Sequence, residues 1–111
     1  MAQNNRRIRQ LAQNIRQNPD DSFSKFALAL ELLKNNQVEK ALKLFESVYQ
    51  NDPEYLGVYY HLGKLHQALE HFDRAENLFI EGIQLAEKKE NRRTLDELTE
   101  ALESLKAERK Q

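Results

Sequence analysis

The chain has no cysteine and no tryptophan, and only two prolines, three glycines and one methionine in 111 residues. Without cysteine, neither a disulfide scaffold nor a thiolate metal site is open to it. Val, Ile and Thr together fill only nine positions, too few to furnish several β-strands, where β-branched side chains are favoured. No apolar run approaches the roughly 18 residues of a membrane span, and the polar stretch from Met1 to Gln10 lacks the apolar core of a secretion signal. The expectation is a helical chain without membrane insertion, working in the cytoplasm. What is abundant agrees, since Ala, Glu, Lys, Leu and Arg fill 57 positions, the composition of a helix-rich chain. Hydrophobic residues make up 40%, with five Phe and four Tyr, enough to close a core, and the length is that of a single domain.

The formal net charge is −1, but the charges are unevenly placed. Arg6, Arg7, Arg9 and Arg16 stand in the first 19 residues with no acid among them, whereas residues 20–91 hold 13 acids against eight bases. A short basic end of this kind reads as a solvated helix terminus. Nucleic-acid binding through those arginines is the weaker alternative, opposed by a pI near 6.3 and by the absence of interleaved aromatics.

Self-similarity decides the architecture. Pro19 and Pro53 lie 34 residues apart, each inside a polar turn, and the same offset pairs Leu28 with Leu62, Ala41 with Ala75, Leu44 with Leu78 and Phe45 with Phe79. It also pairs Phe26 with Tyr60, Ala29 with Gly63 and Val38 with Phe72. Apolar residues at helical spacing then mark six segments. Asp20-Asp21-Ser22 offers N-cap chemistry to the stripe from Phe26 to Leu33. Val38 to Tyr49 forms the next, ending before Asp52-Pro53, because proline drives the residue before it out of the helical region. Tyr55 to Leu69 and Phe72 to Leu85 repeat the pair. Ile8 to Ile15 comes before them, and Leu95 to Leu105 follows, with Thr94 as its expected N-cap. Connections of two to five residues force consecutive helices into antiparallel hairpins.

This pattern resembles the tetratricopeptide repeat family, whose 34-residue unit reads W-x2-L-G-x2-Y, then A-x3-F, then P. In residues 22–55 the matching positions are Lys25, Leu28, Ala29, Leu32, Ala41, Phe45 and Pro53, with Lys25 in place of the aromatic. In residues 56–89 they are Tyr59, Leu62, Gly63, His66, Ala75, Phe79 and Glu87, with His66 for Tyr and Glu87 for Pro. Losing that proline predicts a helix that runs on through Glu87-Lys88-Lys89-Glu90. Leu95, Leu98, Thr99 and Leu102 match Tyr59, Leu62, Gly63 and His66 at an offset of 36, a first-type helix delayed by two residues. The resemblance implies an all-α hairpin array in one domain, residues 1–111: a half-repeat helix over 4–18, repeats over 22–55 and 56–91, and a capping helix over 93–109. Ala29, Gly63, Ala41 and Ala75 are small because helix axes approach to about 8–10 Å only where side chains are short.

Nothing in the chain points to catalysis. Ser22, Ser24, Ser47 and Ser104 sit in no nucleophile motif, and Gly57, Gly63 and Gly82 form no phosphate-cradling loop. His61, His66 and His71 are five residues apart, about 500° of helical rotation, so they are expected to splay over different faces, with His66 in the core. No metal, cofactor or small-molecule substrate is expected.

In the resembling family the first helix of each unit lines a concave groove that receives a peptide or a partner helix. Carried over by position, the groove residues are Phe23, Phe26, Leu30, Leu33 and Lys34 in the first repeat, and Gly57, Tyr60, Lys64, Gln67 and Ala68 in the second. The delayed helix adds Asp96, Glu100 and Glu103. The first set is apolar, with Leu30 where the family commonly carries Asn, which favours an apolar or aromatic partner segment over an acidic tail. The expected function is a non-catalytic interaction adaptor, with self-association into a homodimer through the same apolar face as the rival.

Overall fold

Each break between apolar stripes is made by a specific side-chain or backbone device. The computed structural model describes residues 2–110, with side chains from residue 5 onward. In chain order its helices are α1 (Ala2–Gln17), α2 (Ser22–Lys34), α3 (Val38–Asn51), α4 (Gly57–Ala68), α5 (Phe72–Lys88) and α6 (Arg92–Arg109), with no strand among the described residues. The fold class is all-α, built of helical hairpins. Two compact units divide the chain: Met1–Tyr55, holding α1 to α3, and Leu56–Gln111, holding α4 to α6. In the first, α2 packs on α1 and α3; in the second, α5 packs on α4 and α6, and α4 also meets α6.

Two helices start on capping side chains. Asp21 opens α2, its Oδ1 accepting from the Ser24 amide at 3.0 Å and its Oδ2 from the Ser24 hydroxyl at 2.6 Å. Those two hydrogen bonds favour the ionised form and hold the Asp21 carboxyl below its ordinary range. At α6 the cap differs from expectation: Asn91, not Thr94, is the N-cap, and its Oδ1 accepts from the Thr94 amide at 3.1 Å. Both types can cap, but the third amide of the helix lies three residues beyond its cap, and that geometry places Thr94 inside the first turn.

Three helix ends share one backbone solution. Asn36, Glu70 and Glu90 adopt φ of 61°, 63° and 55°, the left-handed conformation. The next amide then reaches back five residues: Gln37 to Leu32 O at 2.9 Å, His71 to His66 O at 2.8 Å and Asn91 to Ala86 O at 2.9 Å. These are Schellman turns, which satisfy the terminal carbonyls that a helix leaves open. α5 does run past Glu87, and its turn falls at Lys89-Glu90. The stripe expected to begin at Tyr55 starts later, because the Tyr55 amide closes a turn onto Asp52 O at 2.9 Å and α4 begins only at Gly57.

The small residues of the period are buried: Ala29, Ala41 and Ala75 have no exposure, nor do Phe45 and Phe79. Gly63 shows why. A Cβ built there would meet the Phe79 ring at Cε1 and, at 2.7 Å, at Cδ1. Gly82 is a second such contact, unrecognised from sequence: a Cβ would stand 2.7 Å from Tyr59 Cβ and 2.9 Å from Leu98 Cδ1. Lys25, which displaces the signature aromatic, is buried, and its Nζ donates to Ser47 Oγ on α3 at 3.0 Å. Its methylene stem replaces the packing of a ring while its charged end finds an acceptor.

Phe79→Ala should lower unfolding stability by about 3–5 kcal/mol, the range for emptying a buried phenylalanine site, as read from urea denaturation. Gly63→Ala tests the packing more sharply. Helix propensity alone favours Ala by about 1 kcal/mol, whereas overfilling a packed core costs about 1–3 kcal/mol. Since the obstructing atoms belong to a fully buried ring, the urea midpoint should fall; a rise would show that the ring yields freely.

Candidate functional site

On the first unit, α1 and α2 enclose an open hollow of about 410 Å³ edged by Arg6, Arg7, Gln10, Leu11, Asn14 and Phe23. Phe23 is 60% exposed, the most exposed large apolar side chain among the described residues. Its neighbours on α2 are less available. Phe26 is half-buried, its ring edge-on to Phe45 with centroids 5.8 Å apart and tilted against Tyr55 at 5.2 Å. Leu30 and Leu33 are half-buried, and Lys34 is exposed, its Nζ 3.7 Å from Glu31 Oε1. Glu31 is itself buried and also meets Arg7 Nε at 3.3 Å. One of the four N-terminal arginines is therefore tied to α2, which the charge pattern alone did not reveal.

On the second unit, α4 and α6 frame two hollows that share Lys64. One, of about 200 Å³, is edged by Tyr60, Lys64, Glu97, Glu100, Ala101 and Ser104. The other, of about 260 Å³, is edged by Lys64, Gln67, Ala68, Glu70 and Glu108. Tyr60, Lys64, Gln67, Ala68 and Glu100, all expected at the groove, are thus brought together, while Gly57 lies half-buried at the first residue of α4. Asp96 and Glu103 are exposed but edge neither hollow, and Asp96 pairs with Arg92 at 3.3 Å. Glu97, Ala101, Ser104 and Glu108 take their place. Their spacing of three, four and seven puts them on one face of α6, a signal present in the sequence once the neighbour of that helix is known. Gln67 is buried, and its Nε2 donates to Glu108 Oε1 at 2.7 Å.

The histidines depart from expectation. His66 is buried as foreseen, but His66 and His71 meet, Nδ1 to Nδ1 at 3.0 Å, instead of splaying apart. The rotation argument assumed one continuous helix, whereas the left-handed turn at Glu70 folds His71 back onto the end of α4. No cluster of three or more His, Asp or Glu among the described residues is arranged to hold a metal ion, and no helix among them is long and apolar enough to cross a membrane. His61 is half-buried with its ring against Tyr60 at 5.4 Å. Burial pushes its imidazole below the ordinary value, and the Glu97 carboxylate pulls the other way.

The family model for the tetratricopeptide repeat matches residues 32–95. A crystal structure of a tetratricopeptide repeat domain protein from Salinibacter ruber is 39% identical, with a TM-score of 0.76 over 78% of this chain and 97% of that one. The TPR2B domain of yeast Sti1, in complex with pHsp70, shares the fold at 14% identity, with a TM-score of 0.83 over 91% of this chain and 81% of that one. YrrB, a tetratricopeptide repeat protein with an unusual peptide-binding site, is 20% identical, with a TM-score of 0.60 over 84% of this chain and 56% of that one. No curated protein matches the chain.

The direction of the His61 shift sets a pH dependence. A base whose charged form is disfavoured in the fold leaves stability intact above its ordinary value of 6.5 and reduces it as pH falls below that value. Thermal midpoints should therefore fall less steeply between pH 7 and pH 5 in His61→Gln than in the wild type; equal slopes would show that His61 protonates without cost.

Proposed function

The chain belongs to the tetratricopeptide repeat family, and on that premise we propose that it is a non-catalytic interaction module that binds a peptide or helix of a protein partner on the exposed faces of α2 and α4. The observation that carries this reading is Phe23, an aromatic side chain held in water beside a hollow with a polar and cationic rim. Aromatic side chains at such positions are frequent anchors of binding energy, and helices that are already formed present them with little ordering cost. The complex of the Sti1 domain with pHsp70 and the peptide-binding site of YrrB lend support from proteins of the same fold. In this reading Phe23, Leu30, Leu33 and Lys34 contact the partner from α2, and Tyr60 and Lys64 contact it from α4.

Phe26 has a divided role, because its contacts with Phe45 and Tyr55 make it part of the first unit's core as well as of its surface. The test uses peptides selected from a display library against the wild-type chain. Phe23→Ser and Tyr60→Ser should each weaken binding by about tenfold, equivalent to about 1.4 kcal/mol, with the helical circular dichroism unchanged. Phe26→Ala should weaken binding and lower the unfolding midpoint together. Failure to select any peptide, or selected peptides indifferent to both serine variants, would overturn the reading. Light scattering at micromolar concentration addresses the homodimer: a doubled mass that Phe23→Ser returns to the monomer value would assign the apolar face to self-association.

A further inference from the structure

The hollow between α1 and α2 differs in charge from those of the second unit. Three hollows there each have two carboxylates at the edge: Glu97 and Glu100, Glu70 and Glu108, and Glu87 and Glu90. The α1/α2 hollow has none among the described residues, and Arg6 and Arg7 stand at its edge with the amides of Gln10 and Asn14. Its apolar surface comes from Leu11, which is buried, and from the exposed ring of Phe23.

Exposed arginines are ordinary on a solvated helix, so the weight falls on how this rim is held. Glu31, buried on α2, meets Arg7 Nε at 3.3 Å, and that contact leaves the N–H groups of the two terminal nitrogens to serve another acceptor. Lys34 shares the same carboxylate at 3.7 Å, so one acid stands against three cations, Arg6, Arg7 and Lys34. Arg6 is exposed and has no ion-pair partner among the described residues. The amide side is fixed as well: Gln10 Nε2 donates to Asn14 Oδ1 at 3.1 Å, and Asn14 Nδ2 donates to Ser24 Oγ at 3.4 Å. An oriented guanidinium beside an aromatic ring in water calls for a ligand that is anionic at one point and apolar at the next.

Two other occupants fit the charges poorly. A second copy docked about a twofold axis would set the same patch against itself, and so bring Arg6 and Arg7 against their own counterparts. A nucleic-acid strand would meet residues 20–91, which hold 13 acids against eight bases, and be repelled beyond the first few phosphates. We propose that the α1/α2 hollow binds a peptide segment with an apolar side chain against Phe23 and flanking glutamate or aspartate side chains on Arg6 and Arg7. This assignment rests on the interaction-module reading and names the chemistry of the partner on the first unit. The apolar residue is the anchor, and the guanidinium forks match the carboxylates that flank it.

The experiment titrates the intact chain, by fluorescence anisotropy, with three peptides on one leucine–phenylalanine frame flanked by two glutamates, two glutamines or two arginines. The glutamate peptide should bind about fivefold tighter than the glutamine peptide, the scale of two exposed ion pairs, and the advantage should shrink as salt is raised. Arg6→Gln should cut that advantage to about twofold, as expected when one of the two pairs is lost. Lys43→Gln, the same charge change on α3 outside the hollow, should leave the advantage intact. Equal affinity for the glutamate and glutamine peptides, preference for the arginine peptide, or equal effects of Arg6→Gln and Lys43→Gln would overturn this inference and leave the interaction reading standing. Displacement of the glutamate peptide by an equal concentration of oligothymidine would overturn it in favour of nucleic acid. Binding of none of the three peptides would overturn it as well, and the display selection then decides the interaction reading by itself.

Discussion

The close approach of helices at Gly63 and Phe79 is the contact on which the second unit depends. One helix gives up its side chain, and the other fills the opening with a ring that has no exposure. Short side chains set the interaxial distance, and that distance decides how much apolar area the hairpin can bury. Gly82 repeats the device one turn of packing further on, between Tyr59 and Leu98, so the fold relies on what is missing from α4 and α5 as much as on what is present. The first unit solves the same problem differently. Ala29 stands where the period would allow Gly63, and the Phe45 ring turns its attention to Phe26 and, through it, Tyr55.

That difference bears on function. In the first unit the α2 aromatic at Phe26 is drawn partly into the core, leaving Phe23 as the more exposed ring. In the second unit the corresponding ring, Tyr60, lies against His61 and edges a hollow whose other walls include the carboxylates of Glu97 and Glu100 beside Lys64. Two faces of one short chain thus carry distinct chemistry, one aromatic and arginine-rimmed, the other acidic.

Much of the architecture was legible in the residues, because the signals were redundant. The 34-residue period, the prolines, the capping Asp21 and the apolar spacing all give the same helices, and the extension of α5 follows from a single missing proline. What was not legible required knowing where a distant segment lies. Asn91 and Thr94 are both capping types, and only the phase of α6 separates them. His66 and His71 meet because a left-handed turn intervenes, which a rotation count along one helix cannot represent. Gln67 reads as a groove residue, but its tie to Glu108, 41 positions away, cannot be read from the sequence. Among the groove positions, Lys64, Tyr60 and Glu100 were recoverable from the period, but Glu97 and Ser104 edge the hollow where the transferred pattern has Asp96 and Glu103.

The end of α6 carries one more arrangement. Arg109 places Nη1 2.6 Å from Glu76 Oε1 and Nη2 2.7 Å from Asp73 Oδ1, with its guanidinium 5.9 Å over the ring of Phe72. Terminal turns of helices ordinarily fray, yet here the final turn of α6 is latched to the opening turn of α5. Removing the Arg109 guanidinium would therefore loosen two segments far apart in the chain at once, so a change in the last turn of α6 would be felt at the start of the helix before it.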